Sequence, residues 1–295
     1  MRWTINNWHT ALDIAYSIPY TIFIKTRQPL TLTLRPHQQR ALDALLTASI
    51  GRVTIPTGGG KTLVMIEDVK RRLTASTTPQ TIVVVAPRIL LAVQLYEEFW
   101  SALNGTVDVA AMHVHSGEVD CYSSTKVQQI QCHAGVCAAA GIHQLIFTTY
   151  NSLRRVNEAG IDVDMIYYDE AHNSVRRDFF KEVAIASITA TYAYYFTATP
   201  KYRGSDISMN NTTVYGSELI SVPAPELINN GSIIPPTIQP HVVDIERNKS
   251  LLAAENDREV LIDIINKLDE DAAQKILVAA PNTRVLWALL SGTNV

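Results

Sequence analysis

Cysteine is scarce in this 295-residue chain, with Cys121, Cys132 and Cys137 the whole complement. A sparse, odd set excludes a disulfide framework and points to a reducing, intracellular setting. No apolar run reaches the roughly 18 residues that a membrane-spanning helix needs, so no membrane partner is expected. The apolar start "TALDIAYSIPYTIFIK" (10–25) is interrupted by Asp13, Pro19 and Lys25. It lacks the unbroken core of a signal peptide and reads as packed structure ahead of the main domain. Positive charge is not in surplus either: 25 Lys and Arg stand against 28 Asp and Glu, a net charge of −3. That excludes a globally basic surface, though not a local basic groove. Short-period repeats and low-complexity tracts are missing. What remains is a globular composition, 47% hydrophobic and 18% charged, with ample material for a core.

Short β-branched runs alternate with longer helical patterns. "RVTI" (52–55) precedes a helix-like stretch from Gly60 through Arg72. "TIVVVAP" (81–87), the helix "ILLAVQLYEEFWSAL" (89–103) and "VDVAAMHVH" (107–115) follow. "QLIFTTY" (144–150), "DMIYYDE" (164–170) and "TYAYYFTATP" (191–200) continue the series. Continuous apolar strands such as "TIVVV" suit a sheet covered on both faces, and their alternation with helices predicts βαβ units and a mostly parallel sheet. Polar residues gather at the C-terminal strand ends, where open α/β sheets bind ligands. After Pro200 the pattern loosens, and "NNGSIIPP" (229–236) reads as a turn and linker. "TIQPHVVDI", a helix around 251–268, the strand "KILVAAP" (275–281) and "TRVLWALL" then begin a second α/β pattern. The expected organisation is an accessory segment 1–33, a first domain 34–236 and the start of a second domain 237–295.

The stretch "IPTGGGKT" (55–62) follows an apolar strand and opens a helix. Backbone N–H groups of such a loop can cradle phosphates at a helix N-terminus. Thr57, Gly58, Gly59 and Gly60 shape the loop, Lys61 reaches phosphate oxygens and Thr62 offers a hydroxyl to Mg²⁺. The strand end "YYDEAH" (167–172) supplies the complementary acids. Asp169 would hold Mg²⁺ through water and Glu170 would orient an attacking water.

Taken in order, the motifs resemble those of superfamily 2 helicases and translocases. "LRPHQQRAL" (34–42) is similar to the adenine-recognition element and "IPTGGGKT" to motif I, with Ile55 in place of the common Ala. "VVAPRILLAVQ", "FTTYNSL" (147–153), "DEAH" and "TATP" (197–200) resemble motifs Ia, Ib, II and III. "TGGGKT", "TTYNSL" and "ELINNGSIIPP" bring the resemblance nearest the DNA-directed branch of restriction-enzyme motor subunits and repair helicases. It implies a RecA-like first domain, ATP with Mg²⁺ as cofactors, and nucleic acid, DNA foremost, as partner. It further implies that Gln38 reads adenine with Arg35 nearby. Arg88, Thr148 and Thr149 would contact the phosphodiester backbone, while His172, Thr197 and Thr199 would couple nucleotide state to that surface.

Two features stand apart from the motor pattern. Residues 113–143 hold all three cysteines together with His113, His115, His133 and His143. Cys132 and Cys137 are five apart and lack a metal-ligand spacing, so the expectation is a loop and helix with buried free thiols. The family's arginine finger comes from its second domain, yet no Q-x-x-G-R-x-x-R-like stretch occurs. A longer protein, a partner chain or a degenerate module would each account for that. The expected activity is that of an ATP- and backbone-binding half-motor with slow turnover; a nucleotide-gated binding module is the alternative.

Overall fold

Seven strands form one sheet in a computed structural model that describes residues 33–235 and the helical positions 258–260 and 262. The chain divides into two compact units, Met1–Pro235 and Pro236–Val295. Apart from residue 33 and those few positions, the expectations for residues 1–33 and 237–295 lie outside the described residues.

The strands are β1 (Ile50–Thr54), β2 (Thr81–Ala86), β3 (Val109–Val114), β4 (His143–Thr149), β5 (Met165–Tyr168), β6 (Tyr192–Thr197) and β7 (Ser217–Ser221). Their order is β3-β4-β2-β5-β6-β1-β7 and every pairing is parallel. Between them run α1 (Pro36–Leu45), α2 (Lys61–Ala75), α3 (Ile89–Leu103), α4 (Val127–Ala140), α5 (Leu153–Ala159), α6 (Arg177–Thr189), α7 (Thr212–Tyr215) and α8 (Ala224–Asn229).

Side chains alternate between faces along a strand, so a continuous apolar run serves two cores at once. Ile82, Val84 and Ala86 of β2 join Val53, Phe147, Tyr167 and Phe196 under α1, α2, α3 and α8. Val83 and Val85 join Ile146, Ile166, Tyr168 and Tyr195 under α4 to α7. The helices match this with apolar stripes: Ala92, Leu95, Phe99 and Leu103 are the buried positions of α3, spaced three and four apart.

Register brings the strand ends to one edge. Thr54 lies opposite Thr197, Val85 opposite Tyr168, Ala86 opposite Thr149 and Val114 opposite Thr148. The loops after β1, β2, β4, β5 and β6 therefore emerge together.

Two expectations need correction. The loosened stretch after Pro200 contains β7, which among the described residues pairs only with β1 and is largely exposed. A half-exposed edge strand such as "SELIS" carries no apolar run to announce it. The cysteines are not uniformly buried: Cys137 is, Cys121 is half-buried, and Cys132 is exposed on α4. Burial pushes the Cys121 and Cys137 thiols up to about 11. Among the described residues no group of three or more His, Cys, Asp or Glu could hold a metal ion. Nor is any described helix long and apolar enough to cross a membrane.

Candidate functional site

The glycine loop joins β1 to α2. Ile55 is fully buried, and its N–H still donates to the Thr197 carbonyl at 3.0 Å, extending the β1–β6 ladder by one step. The chain then turns, with the Gly59 N–H donating to the Pro56 carbonyl at 3.0 Å. Gly58 and Gly60 have φ of 81° and 82°, in the left-handed region that disfavours any side chain. At Gly60 a Cβ would also lie 2.2 Å from Gln38 Nε2. Thr57 and Gly58 are exposed, Gly59 is buried, and Thr62 is half-buried in the first turn of α2. The loop is thus a backbone surface rather than a side-chain one.

Helix α1 lies against this loop. Gln38 is buried: its Oε1 accepts from the Arg35 backbone N–H at 2.9 Å, and its Nε2 donates to the Gly59 carbonyl at 3.1 Å. His37, wholly buried, places Nε2 2.9 Å from the same carbonyl. Arg35 turns outward and donates through Nη1 to the Ser232 carbonyl at 3.0 Å. His37 is silent in the sequence, because nothing in "RPHQQ" distinguishes its ring from an ordinary helix residue until the loop is folded beside it.

The acidic turn follows β5. The Asp169 N–H donates to the Val85 carbonyl at 2.9 Å, and the Asp169 carbonyl accepts from the Tyr150 hydroxyl at 2.9 Å. Glu170 has φ of 45°, the one non-glycine residue with positive φ among the described residues. Such a conformation costs about 1–2 kcal/mol. Its carbonyl offsets part of that by accepting from the Asn173 N–H at 3.0 Å and from Asn173 Nδ2 at 2.9 Å.

The side chains then meet. Lys61, the first residue of α2 and 9% exposed, brings Nζ to 3.5 Å from Glu170 Oε1. Glu170 Oε2 is 3.3 Å from His172 Nδ1, which is 3.0 Å from Thr197 Oγ1. That hydroxyl accepts from the Thr199 N–H at 3.1 Å. One connected set therefore contains Lys61, Glu170, His172, Thr197 and Thr199. Burial, reinforced by the Glu170 charge and opposed by Lys61, pushes the Asp169 carboxyl up to about 6. Burial also lowers His172, against the pull of Glu170.

Arg88, Thr148 and Thr149 do not share a surface in this way. Arg88 is exposed at the N-terminus of α3. Thr148 is fully buried and its hydroxyl donates to the Val114 carbonyl at 2.8 Å, while Thr149 is 4% exposed. In this geometry Thr148 ties β4 to β3 and offers no hydroxyl outward.

The residues fit a magnesium–polyphosphate ligand. Mg²⁺ is commonly held by one or two carboxylates and substrate phosphates, without a full protein cage. Asp169 and the Thr62 hydroxyl are donors of that kind, the glycine loop offers N–H groups, and the Lys61 cation has Glu170 as its ion-pair partner among the described residues.

Fold and site together define a RecA-like α/β domain of the superfamily 2 helicase type. The model of the family described as Type III restriction enzyme, res subunit, matches residues 31–202, and the chain belongs to that family. No curated protein sequence matches it. Among solved structures, one similar chain is a nuclease-deletion mutant of the Type ISP restriction-modification enzyme LlaGI in complex with a DNA substrate mimic. It is 20% identical with a TM-score of 0.60, over 81% of this chain and 23% of that one. Another is the ATP-dependent Type ISP enzyme LlaBIII bound to DNA, 18% identical with a TM-score of 0.56, over 68% of this chain and 16% of that one. The chain thus spans less than a quarter of either relative's length.

Proposed function

We propose that the chain is the ATP- and backbone-binding half of a nucleic-acid translocase or helicase, with DNA as the polymer. The observation that carries this is the 3.5 Å approach of Lys61 Nζ to Glu170 Oε1 beside the half-buried Asp169. A loop cation and a strand-end acid pair meet where a terminal phosphate and its metal would be shared.

In this reading the loop N–H groups from Thr57 to Lys61 bind the phosphates, and Lys61 exchanges Glu170 for phosphate oxygen. Thr62 and Asp169 would hold Mg²⁺, which would supply positive charge against the negative charge building on the phosphates. Glu170, released from Lys61, orients the attacking water and takes its proton. His172 passes the position of Glu170 to Thr197 and Thr199, and so to the β6 end. Gln38 and Arg35 stand on the base side of the loop, and Arg88 contacts the phosphodiester backbone, which gives grip without sequence preference. Arginine fingers are worth about 10³–10⁵ in rate in well-studied nucleotide hydrolases. With no such motif in the sequence, turnover by this chain alone is expected to be slow.

The test is nucleotide turnover and analogue binding by the purified chain, with single-stranded DNA, duplex DNA or RNA added in turn. Lys61→Ala should abolish binding, and Glu170→Gln should keep binding while lowering any turnover by about 10²-fold or more. Stimulation by one polymer names the substrate. Analogue binding that survives Lys61→Ala would overturn the reading.

A further inference from the structure

Two side chains from adjacent positions of α1 converge on one carbonyl of the glycine loop. His37 Nε2 and Gln38 Nε2 lie 2.9 and 3.1 Å from the Gly59 oxygen. A carbonyl only accepts, so His37 must carry its proton on Nε2. Its other nitrogen, Nδ1, is buried with no hydrogen-bond partner among the described residues. The ring is committed to the loop and to nothing else.

The peptide bond makes this grip consequential. Gly59 C=O and Gly60 N–H belong to one planar trans unit and point in opposite directions. Drawing the carbonyl toward α1 therefore turns the Gly60 N–H away from α1, into the mouth of the loop. Gly60 is also where a Cβ would collide with Gln38 Nε2, at 2.2 Å. The clamp and the missing side chain belong to one arrangement.

Gln38 has both ends of its amide occupied, with Oε1 on the Arg35 N–H and Nε2 on the Gly59 carbonyl. It can turn to a base only by giving those up. His37 has no second task. We propose that His37 is a positioning residue that holds the Gly59–Gly60 peptide in its phosphate-accepting orientation, both before ligand arrives and while Gln38 exchanges the loop for the base. This rests on reading the loop as a polyphosphate site, and it separates two jobs within α1: His37 serves the phosphates and Gln38 serves the base.

The experiment compares Mg·ATP-analogue with Mg·tripolyphosphate, a probe with no base, on the full chain. His37→Phe keeps a ring and removes the donor, so it should weaken both probes by about tenfold, the equivalent of one hydrogen bond. Gln38→Ala should weaken the nucleotide much more than tripolyphosphate. His37→Gln, which can return an N–H to the carbonyl, should recover most of the loss. Equal affinity of His37→Phe and wild type for both probes would overturn the proposal. So would weakening that tracks only a fall in ligand-free melting temperature and is not recovered by His37→Gln. Should His37→Phe fail to fold, ¹⁵N shifts of His37 in the wild-type chain decide: Nε2–H supports the clamp and Nδ1–H overturns it. Wild-type protein that binds neither probe overturns the site reading as well. Failure of the clamp alone instead leaves Lys61-dependent binding intact in wild type and His37→Phe alike.

Discussion

Asp169 and Glu170 are adjacent carboxylates in different electrostatic positions. Glu170 has Lys61 and His172 as direct neighbours, whereas Asp169, half-buried beside the Glu170 charge, loses hydration and rises to about 6. A carboxyl must ionise before it can hold a cation. Below its raised value Asp169 is protonated, so Mg²⁺-dependent nucleotide binding should weaken by up to tenfold per pH unit as pH falls through about 6, with proton uptake on release. Calorimetry in buffers of different ionisation enthalpy reads those protons. A flat profile between pH 5 and 7 would show that Asp169 is not the metal-linked group. The strained φ of Glu170 was not legible in "YYDEAH". It arises because the chain must leave β5 and turn at once into the short 3-10 turn Ala171–Asn173.

At the scale of elements, α2 and β5 are joined beneath the site as well as within it. The Tyr167 hydroxyl donates to Asp68 Oδ2 at 2.6 Å, and Arg72 Nε donates to both Asp68 oxygens at 3.0 Å. Arg72 also reaches the Tyr194 hydroxyl at 2.8 Å and the Leu45 carbonyl at 3.2 Å. A buried pair this well supplied with hydrogen bonds fixes one helix against two strands.

On the far side of the sheet, β3 and α4 depend on neutral histidines. The Gly117 N–H donates to His115 Nδ1 at 3.2 Å, which leaves His115 Nε2–H to donate to His113 Nδ1 at 2.9 Å. Gln144 Nε2 donates to His133 Nδ1 at 2.8 Å. Burial lowers His113 and His133 to about 4. Their folded values lie below the unfolded one, so the stability they contribute is complete above pH 6.5 and is lost as pH falls toward 4. The melting temperature should drop across that window, and His133→Gln should flatten the slope. An unchanged slope would place the acid sensitivity elsewhere.

At the scale of the whole chain, both faces of the sheet are covered by helices of the same unit, Met1–Pro235. A fragment of residues 33–235 is therefore expected to unfold in one cooperative transition and to keep Lys61-dependent analogue binding within about threefold of the full chain. A fragment that melts without a transition would show that residues outside 33–235 complete the fold.

The sequence by itself determined the α/β class, most strand positions and the motif order. Apolar runs, glycine loops and strand-end polar residues are local signals, written in consecutive residues. It also sufficed for α3, which spans the predicted residues. Tertiary structure alone decided which polar residues face inward. "TTYN" reads as a binding edge until the pairing of Thr148 with Val114 closes it, and "RPHQQ" hides His37 until the Gly59 carbonyl arrives. Both depend on segments distant in sequence, and hydrogen-bond partners of that kind exist only once the sheet has set its register.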